Sequence, residues 1–286
     1  MTQEAYNDKT RAVQLSQLSM LQVFIKICNK HNLRWYMIGG SLIGVLRHKG
    51  FIPWDDDIDI GMPRKDYDKF VSLQSDSIEP GYSIITHRND KKWQFNFSRF
   101  VDDESEIIMH LTEIPQKCKI WIDVFPLDGL PTNKMLRWLH LKHILYLRYL
   151  VQIANIRNQV AYKASRPWYE KLVIKILHLI PLGKLIDGNK TLSRMENALK
   201  KYDFCETVYA GNLLGKNRER EITKTEWWGA PISLPFENIM VNCPVDSDKI
   251  ERNIYGDYMT LPAEKDRESH DIEIIKLRNH STSNCS

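Results

Sequence analysis

The sequence lacks the long uncharged apolar run that a membrane-spanning helix requires. Such a helix needs about 20 consecutive apolar residues. The most apolar stretch, residues 138–156, is interrupted by two histidines, one lysine and one arginine. The first residues are polar and do not form the apolar core of a signal peptide. We therefore expect a cytoplasmic protein.

Paired cysteines and a strong net charge are also missing. The five cysteines are scattered and include no CxxC pair, a pattern typical of a reducing compartment rather than of a disulfide framework or a zinc site. Lys and Arg total 40 against 36 Asp and Glu, a net charge of +4, which does not indicate a nucleic-acid partner. The 43% hydrophobic content is that of a folded protein.

Apolar periodicity predicts a mixed α/β (α+β) fold. Leu18, Leu21, Ile25 and Cys28 recur at helical spacing. We expect further helices over 42–48, after Pro63 and over 246–255, and strands over 34–38, 54–60, 82–86, 94–101 and 119–125.

The pattern turns helical and basic in the middle of the chain. We predict a catalytic core over 1–131, a helical insertion over 132–203, and a C-terminal part over 204–286 that completes the core. The tail after residue 279 is expected to be flexible.

The first candidate site is the sequence Gly39-Gly40-Ser41, between a predicted strand and a predicted helix that Ser41 caps. Glycines there let backbone N–H groups approach an anion, and the helix N-terminus favours negative charge. The motif predicts a phosphate-binding site, although taken alone it fits a tight turn better.

The second candidate is the acidic run that ends in Asp57-Ile58-Asp59. Adjacent carboxylates repel one another unless cations neutralise them, and Mg²⁺ prefers carboxylate oxygen. Alternation places Asp57 and Asp59 on one face of the predicted strand. The pattern favours a Mg²⁺ site, with Mn²⁺ as a substitute, over a solvated acidic loop or a calcium-like surface site.

Asp123 is the one acid within the otherwise apolar segment Trp121–Phe125. We interpret it as the third carboxylate of a phosphoryl-transfer site, with a salt-bridged core aspartate as the alternative. Arg47 follows the glycines and suits bidentate phosphate binding, unless it lies at a solvated helix end. Arg99 is a second candidate for contact with phosphate.

Four segments together resemble the LicD family of phosphocholine transferases, which is related to the fukutin group. They are GGSLIGVLRHKGFIPWDDDIDIGMPRKDYDKF, WIDVFPLDGLP, FENIMV and YGDYMTLP. The resemblance covers about residues 20–130 and 235–270, and the glycine and acidic positions show no departure from it.

The resemblance implies a nucleotidyltransferase fold and transfer of phosphocholine from CDP-choline to a glycan hydroxyl. It implies phosphate binding at Gly40 and Ser41, a metal at Asp57 and Asp59, and Asp123 as the third acid that positions or deprotonates the acceptor. The C-terminal signature is matched by Asn238, Asp257, Arg267 and His270, with substrate recognition the expected role. The tryptophans Trp54, Trp93, Trp121, Trp227 and Trp228 are candidates for an aromatic cage around choline.

Other readings stay open at this point. The donor is CDP-choline or a related CDP donor that supplies ribitol or glycerol phosphate, and nucleotidyl transfer to a protein, RNA or a small molecule uses the same acids. A glycosyltransferase and a non-enzymatic binding protein fit the motifs less well.

An acceptor glycan on a lipid carrier would make peripheral contact at the inner face of the cytoplasmic membrane useful. The basic helical region, including 171–184, fits such contact or ordinary packing.

Overall fold

The computed structural model describes residues 3–110, 115–154, 186–264, 267, 269 and 272–278. The predicted tail after 279, His270 and the basic apolar stretch 171–184 lie outside these ranges. The helices are α1 (Gln3–Lys30), α2 (Gly39–Ile43), α3 (Arg64–Val71), α4 (Lys134–Ala154), α5 (Gly188–Leu199) and α6 (Ser247–Tyr255), and α2 continues into a π-helical turn, Gly44–His48.

The strands form three sheets in the described part of the chain. They are β1 (Tyr36–Met37), β2 (Asp59–Pro63), β3 (Tyr82–Ile85), β4 (Ser98–Asp102), β5 (Glu106–Met109), β6 (Gln116–Cys118), β7 (Trp121–Leu130), β8 (Tyr209–Gly211), β9 (Ile222–Lys224), β10 (Ile232–Phe236), β11 (Ile239–Cys243) and β12 (Ile272–Lys276). The main sheet has the order β1-β2-β7-β4-β3, with β8 and β9 added beside the end of β7. Strands β2 and β7 are parallel and the other pairs of this sheet are antiparallel. The mixed sheet with flanking helices confirms the predicted α+β class.

Alternation along β2 and β7 separates two faces of the main sheet. Ile60, Ile122 and Val124 lie in the core cluster that α1 completes with Phe24 and Met20. Since strand side chains alternate, Asp59 and Asp123 face the opposite side. There a second core forms between the sheet and α6, with members that include Tyr36, Leu127, Ile250 and Ile254. The predicted acids thus face the C-terminal part of the chain.

A buried ion pair fixes α3 on the sheet. Arg64 donates from Nε and Nη2 to the two carboxylate oxygens of Asp128, each at 2.6 Å, and both side chains are buried. Burial raises the pKa of the Asp128 carboxyl against the opposing effect of Arg64. A bidentate geometry of this kind satisfies the planar guanidinium. The Asp128 carboxylate therefore has a structural role, although it lies only five positions after Asp123.

The strand predicted over 54–60 begins only at Asp59, so Asp57 lies in the loop before it. Buried glutamines on α1 hold this loop: Gln14 donates to the carbonyl of Asp55 at 2.8 Å, and Gln17 donates to the carbonyl of Asp56 at 2.9 Å. These carbonyls bond to side chains instead of to a neighbouring strand. The expectation that Asp57 and Asp59 share a strand face was therefore wrong.

Two other boundaries differ from the prediction. The helix expected over 42–48 begins at Gly39, and its N-cap residue, Ile38, makes no side-chain capping bond, so Ser41 is not the cap. The strand expected over 94–101 begins at Ser98. The helix over 246–255 and the helix after Pro63 are confirmed. Helices α4 and α5 lie within the predicted insertion 132–203, whose boundaries stay a prediction.

Candidate active site

Two acids and one arginine stand side by side across three neighbouring strands. Asp59 of β2 pairs in register with Asp123 of β7, and Asp123 pairs in register with Arg99 of β4. Neighbouring strands lie about 4.8 Å apart, and paired residues point to the same face. The parallel β2-β7 pair therefore brings together two predicted site residues that are far apart in the sequence.

Asp123 is held by two neighbours. Its Oδ1 accepts from Nε of Arg99 at 2.8 Å, and its Oδ2 accepts from Nε1 of Trp121 at 3.0 Å. The Arg99 guanidinium lies 4.2 Å from the ring centroid of Trp121 and 4.6 Å from that of Trp93. The salt bridge envisaged as the alternative for Asp123 is thus present, and it fixes the orientation of a carboxylate in the candidate site. Arg99 faces this acid, and phosphate contact by Arg99 stays a prediction.

The glycine motif lies directly against the acids. A Cβ on Gly39 would stand 3.5 Å from Oδ2 of Asp59, and Gly39 has φ +56°, a conformation that L side chains rarely adopt. A Cβ on Gly40 would come within 2.9 Å of Oδ2 of Asp55. The two glycines therefore serve close approach between the start of α2 and the acidic segment.

Ser41 links the same two segments. Its buried hydroxyl accepts the backbone N–H of Asp59 at 2.8 Å. This contact replaces the capping bond predicted for Ser41, and it fixes the first residue of β2 relative to α2. Phosphate binding by the three motif residues stays a prediction.

Negative charge is crowded around Asp59. Burial raises the pKa of its carboxyl well above the ordinary value, and the charges of Asp57, Asp123, Asp55 and Glu221 raise it further. Burial and these like charges therefore disfavour the ionised form of Asp59. A divalent cation at this position would relieve the repulsion.

A second acidic group lies beside Asp59 and has no counterpart in the sequence prediction. Burial raises the pKa of Glu221 and, with the charge of Glu221, that of Glu251. Glu251 on α6 is fully buried, and neither of its carboxylate oxygens has a hydrogen-bond partner. Burial also raises the pKa of Tyr255, with Glu251, Glu221 and Asp59 adding to the shift. Of Glu221, Glu251 and Tyr255, only Tyr255 belongs to a motif identified in the sequence, as the first residue of YGDY.

The C-terminal motif meets the glycine motif in space. A Cβ on Gly39 would lie 3.6 Å from the hydroxyl of Tyr255. Arg47 donates from Nη1 to the carbonyl of Tyr258 at 2.5 Å, and burial lowers the pKa of Arg47. Arg47 therefore anchors the C-terminal segment in this structure, and its predicted contact with phosphate is not tested by this contact.

The remaining signature residues are placed less centrally. The exposed Asp257 accepts from the hydroxyl of Thr260 at 2.6 Å, and the Arg267 guanidinium lies 4.4 Å from the ring centroid of Trp54. We call Asp59 and Asp123, paired in register on β2 and β7, the acidic row. No described contact places Asp257 or Arg267 beside it, so substrate recognition by this group stays a prediction.

Aromatic rings border the acidic row. Phe125 follows Asp123 by two positions on β7 and stacks on Phe97, with centroids 4.5 Å apart. Trp93 and the exposed Phe95 pack on Phe97. Among the predicted cage candidates, Trp121 and Trp228 are buried and donate their N–H groups to Asp123 and Thr223. Trp93 is therefore the candidate that lies in an aromatic group beside the acids.

The donor set fits a hard divalent cation in chemistry. Asp57, Asp59 and Asp123 offer only carboxylate oxygen, which Mg²⁺ and Mn²⁺ prefer, and their mutual repulsion favours a cation between them. In the described ranges, no three His, Cys, Asp or Glu side chains are already arranged as a metal site. Asp123 points toward Arg99 and Trp121 instead. The residues therefore fit the ion in their chemistry, and their side chains as placed do not surround one.

Known proteins and a known family resemble this chain across the segment that holds the candidate site. Residues 32–143 match the family described as LicD/FKTN/FKRP, nucleotidyltransferase domain. This range includes the glycine motif, Asp59 and Asp123. Over 270 residues the chain is 27% identical to the lipopolysaccharide cholinephosphotransferase LicD of Haemophilus influenzae, covering 92% of this chain and 96% of that protein.

Residues 32–143 therefore carry a LicD-family nucleotidyltransferase domain. Shorter matches are to uncharacterized proteins of Rickettsia typhi, 33% identical over 70 residues (24% of this chain and 23% of that protein), and of Rickettsia prowazekii, 30% identical over 74 residues (26% and 28%). Within this domain Asp59, Asp123 and the glycine motif converge on one sheet face, whereas Arg47 donates to the carbonyl of Tyr258.

Proposed function

We propose that this LicD-family protein is a phosphotransferase that moves phosphocholine from CDP-choline to a hydroxyl of a cell-surface glycan. Family membership and the cholinephosphotransferase relative support phosphocholine transfer to lipopolysaccharide at the family level. The observation that carries the proposal is the in-register pairing of Asp59 with Asp123 beside Gly39. That arrangement concentrates carboxylates next to a helix start suited to phosphate.

We assign Asp57, Asp59 and Asp123 as the residues that would hold Mg²⁺ or Mn²⁺. The ion, when bound, would neutralise charge that develops on the phosphate oxygens during transfer. Asp59 contributes the backbone link to Ser41, so the position of this ligand is coupled to the glycine motif. The crowding that raises the pKa of Asp59 supports this assignment.

The transfer itself is an in-line displacement. The acceptor oxygen forms a bond to the distal phosphorus of CDP-choline while the bond from that phosphorus to the CMP oxygen breaks. Gly39 and Gly40 permit the donor phosphates to approach the start of α2. Asp123 positions the acceptor hydroxyl and takes its proton, and Arg99 keeps the carboxylate oriented.

The aromatic group supports choline as the cargo. Trp93, Phe95, Phe97 and Phe125 lie beside the acidic row, and aromatic faces attract quaternary ammonium ions. A ribitol or glycerol head group has no positive charge and would gain no such attraction. The acceptor class, a lipopolysaccharide, teichoic acid or capsule precursor on a lipid carrier, places the reaction at the inner face of the cytoplasmic membrane in this proposal.

The test compares release of CMP from CDP-choline, CDP-ribitol and CDP-glycerol with Mg²⁺ and a crude glycan acceptor. We expect release from CDP-choline alone. Asp57→Asn and Asp123→Asn should each lower it about 100-fold or more, since each variant removes a charge needed in the transition state. The exposed Asp76→Asn is the matched control and should leave the rate unchanged.

The other outcomes separate the alternatives. Release from CDP-ribitol or CDP-glycerol would reassign the cargo, while loss in the same two variants would keep the site. Absence of release from every CDP donor, together with a labelled nucleotide adduct on a protein or small molecule, would replace the proposal by nucleotidyl transfer.

A further inference from the structure

One face of helix α4 is buried against the rest of the protein. His140, Ile144, Leu147 and Val151 recur at spacings of four, three and four residues, and all are buried. Ile144 and Leu147 pack into a small core with Met195 and Leu199 of α5. This stripe explains how α4 is attached to the rest of the protein.

The opposite face of α4 is apolar as well. At about 100° per residue, Met135, Trp138, Leu139, Tyr146 and Tyr149 lie opposite the buried stripe, and their exposed fractions range from 49% to 71%. We call these five residues the α4 outer face. A surface helix of a globular protein normally carries charged and polar residues at such positions. An apolar face of this size, open to solvent, indicates an interaction surface.

The charged residues of α4 itself all carry positive charge. Helix α4 contains Lys134, Arg137, Lys142 and Arg148 and no acid. In the sequence from 134 to 184, ten Lys and Arg accompany a single acid, Glu170. Lys142 lies on the same side of the helix as the α4 outer face, with Nζ 5.8 Å from the ring centroid of Trp138 and 3.8 Å from Oε1 of Glu219. The surface therefore combines aromatic rings with positive charge.

We propose that the α4 outer face docks on a bilayer that contains anionic phospholipid, with the helix parallel to the membrane surface. Trp and Tyr favour the headgroup level, where the ring is in an apolar environment and the polar atom is hydrated. Lys and Arg add attraction to anionic lipid. None of the described helices is long and apolar enough to cross a bilayer. Docking therefore means contact with the headgroup region.

A second copy of the chain is the less suitable occupant. Two α4 outer faces packed together would bring the four cations of each α4 against those of the other copy with no acid on either helix, and Glu219, 3.8 Å from Lys142, offsets only one of them. A lipid surface supplies the missing negative charge. This inference stands on α4 alone and does not require the proposed choline chemistry.

The test is co-sedimentation of the full chain with vesicles at moderate salt. One vesicle type contains about one third phosphatidylglycerol in phosphatidylcholine, and the other is pure phosphatidylcholine. We expect at least about tenfold tighter binding to the anionic vesicles. The triple variant Trp138→Ser, Tyr146→Ser, Tyr149→Ser should lose about tenfold or more of that binding, because the inserted rings are gone.

Two further variants keep the test decisive. The matched triple control Val208→Ser, Met240→Ser, Ile275→Ser removes three equally exposed apolar side chains away from α4 and should bind as the wild type does. The pair Lys134→Gln, Lys142→Gln leaves every apolar residue in place and should reduce the preference for anionic vesicles several-fold.

Each contrary result overturns the inference. These results are wild-type protein that stays in the supernatant with anionic vesicles, equal binding to neutral vesicles, or an aromatic triple variant that binds unchanged. A wild-type dimer in sedimentation that the same triple variant converts to a monomer would assign the α4 outer face to a second copy instead.

Discussion

The acidic sheet face and helix α4 depart from the usual distribution of residues in opposite directions. Around Asp59, carboxylates lie close together away from bulk water, and Glu251 is buried with both oxygens unpartnered. On α4, Trp138 and Tyr146 are exposed where charged residues are ordinarily found. Buried charge and exposed apolar surface both oppose folding stability. The comparison teaches that such residues indicate function when no packing role explains them.

The largest expected effect comes from Asp59→Asn, which should change activity and stability in opposite directions. Loss of the carboxylate should lower transfer roughly 1000-fold. It should also remove repulsion from Asp57, Asp123 and Asp55, and so raise the melting temperature by about 2–4 °C. CMP release and thermal unfolding measured on the same preparation check both parts.

The control for this prediction is again Asp76→Asn, at an exposed position, which should alter neither quantity. A lower melting temperature for Asp59→Asn would show that the carboxylate stabilises the fold. That result would contradict the statement that the crowded carboxylates around Asp59 oppose folding stability.

The next effect distinguishes the two faces of α4. Ile144→Ala removes a side chain that is 1% exposed and should lower the free energy of unfolding by about 2–5 kcal/mol. Tyr146→Ser, two positions away on the α4 outer face, should change it by less than about 0.5 kcal/mol. Urea denaturation measures both values. Similar losses for the two variants would mean that the outer face is packed in solution.

The smallest effect concerns the pH dependence of stability through Glu251. Its folded-state pKa is raised well above 4.5, so the folded protein holds a proton that the unfolded chain releases above that pH. Stability should therefore fall as pH rises from 4.5 toward the folded pKa, by at most about 1.4 kcal/mol per pH unit. Glu251→Gln should flatten this decline in urea denaturation between pH 5 and 8.

The exposed Glu206→Gln is the matched control and should retain the wild-type slope. An unchanged slope in Glu251→Gln would mean that Glu251 is ionised in the folded protein, which requires a compensating cation beside it.

Local patterns were sufficient to predict the main elements and the principal acids. The apolar spacing in α1, the helix after Pro63 and the acid inside β7 each rest on a few neighbouring residues. The single acid in an apolar segment predicts Asp123 as a third carboxylate on a neighbouring strand, and the parallel register, which no local pattern predicts, places it beside Asp59.

Contacts between distant segments were beyond the reach of local patterns. Ser41 precedes a predicted helix, and the local pattern therefore predicts that it caps this helix. Its hydroxyl instead accepts the backbone N–H of Asp59, at the start of β2. The glutamines Gln14 and Gln17 look like ordinary polar residues of α1, yet they hold the acidic loop and displace the start of β2. Glu221 and Glu251 carry no motif, and only the tertiary fold brings them near Asp59.

The contact between Arg47 and Tyr258 has a consequence for the synthesis of the protein. The two residues are 211 positions apart along the chain, and Tyr255 lies beside Gly39 through the same segment. Because translation proceeds from the N-terminus, the glycine motif, Asp59 and Asp123 leave the ribosome long before α6 does. The emerging chain therefore passes through a period in which the candidate site is incomplete, and the contacts that complete it form only after α6 has been synthesised.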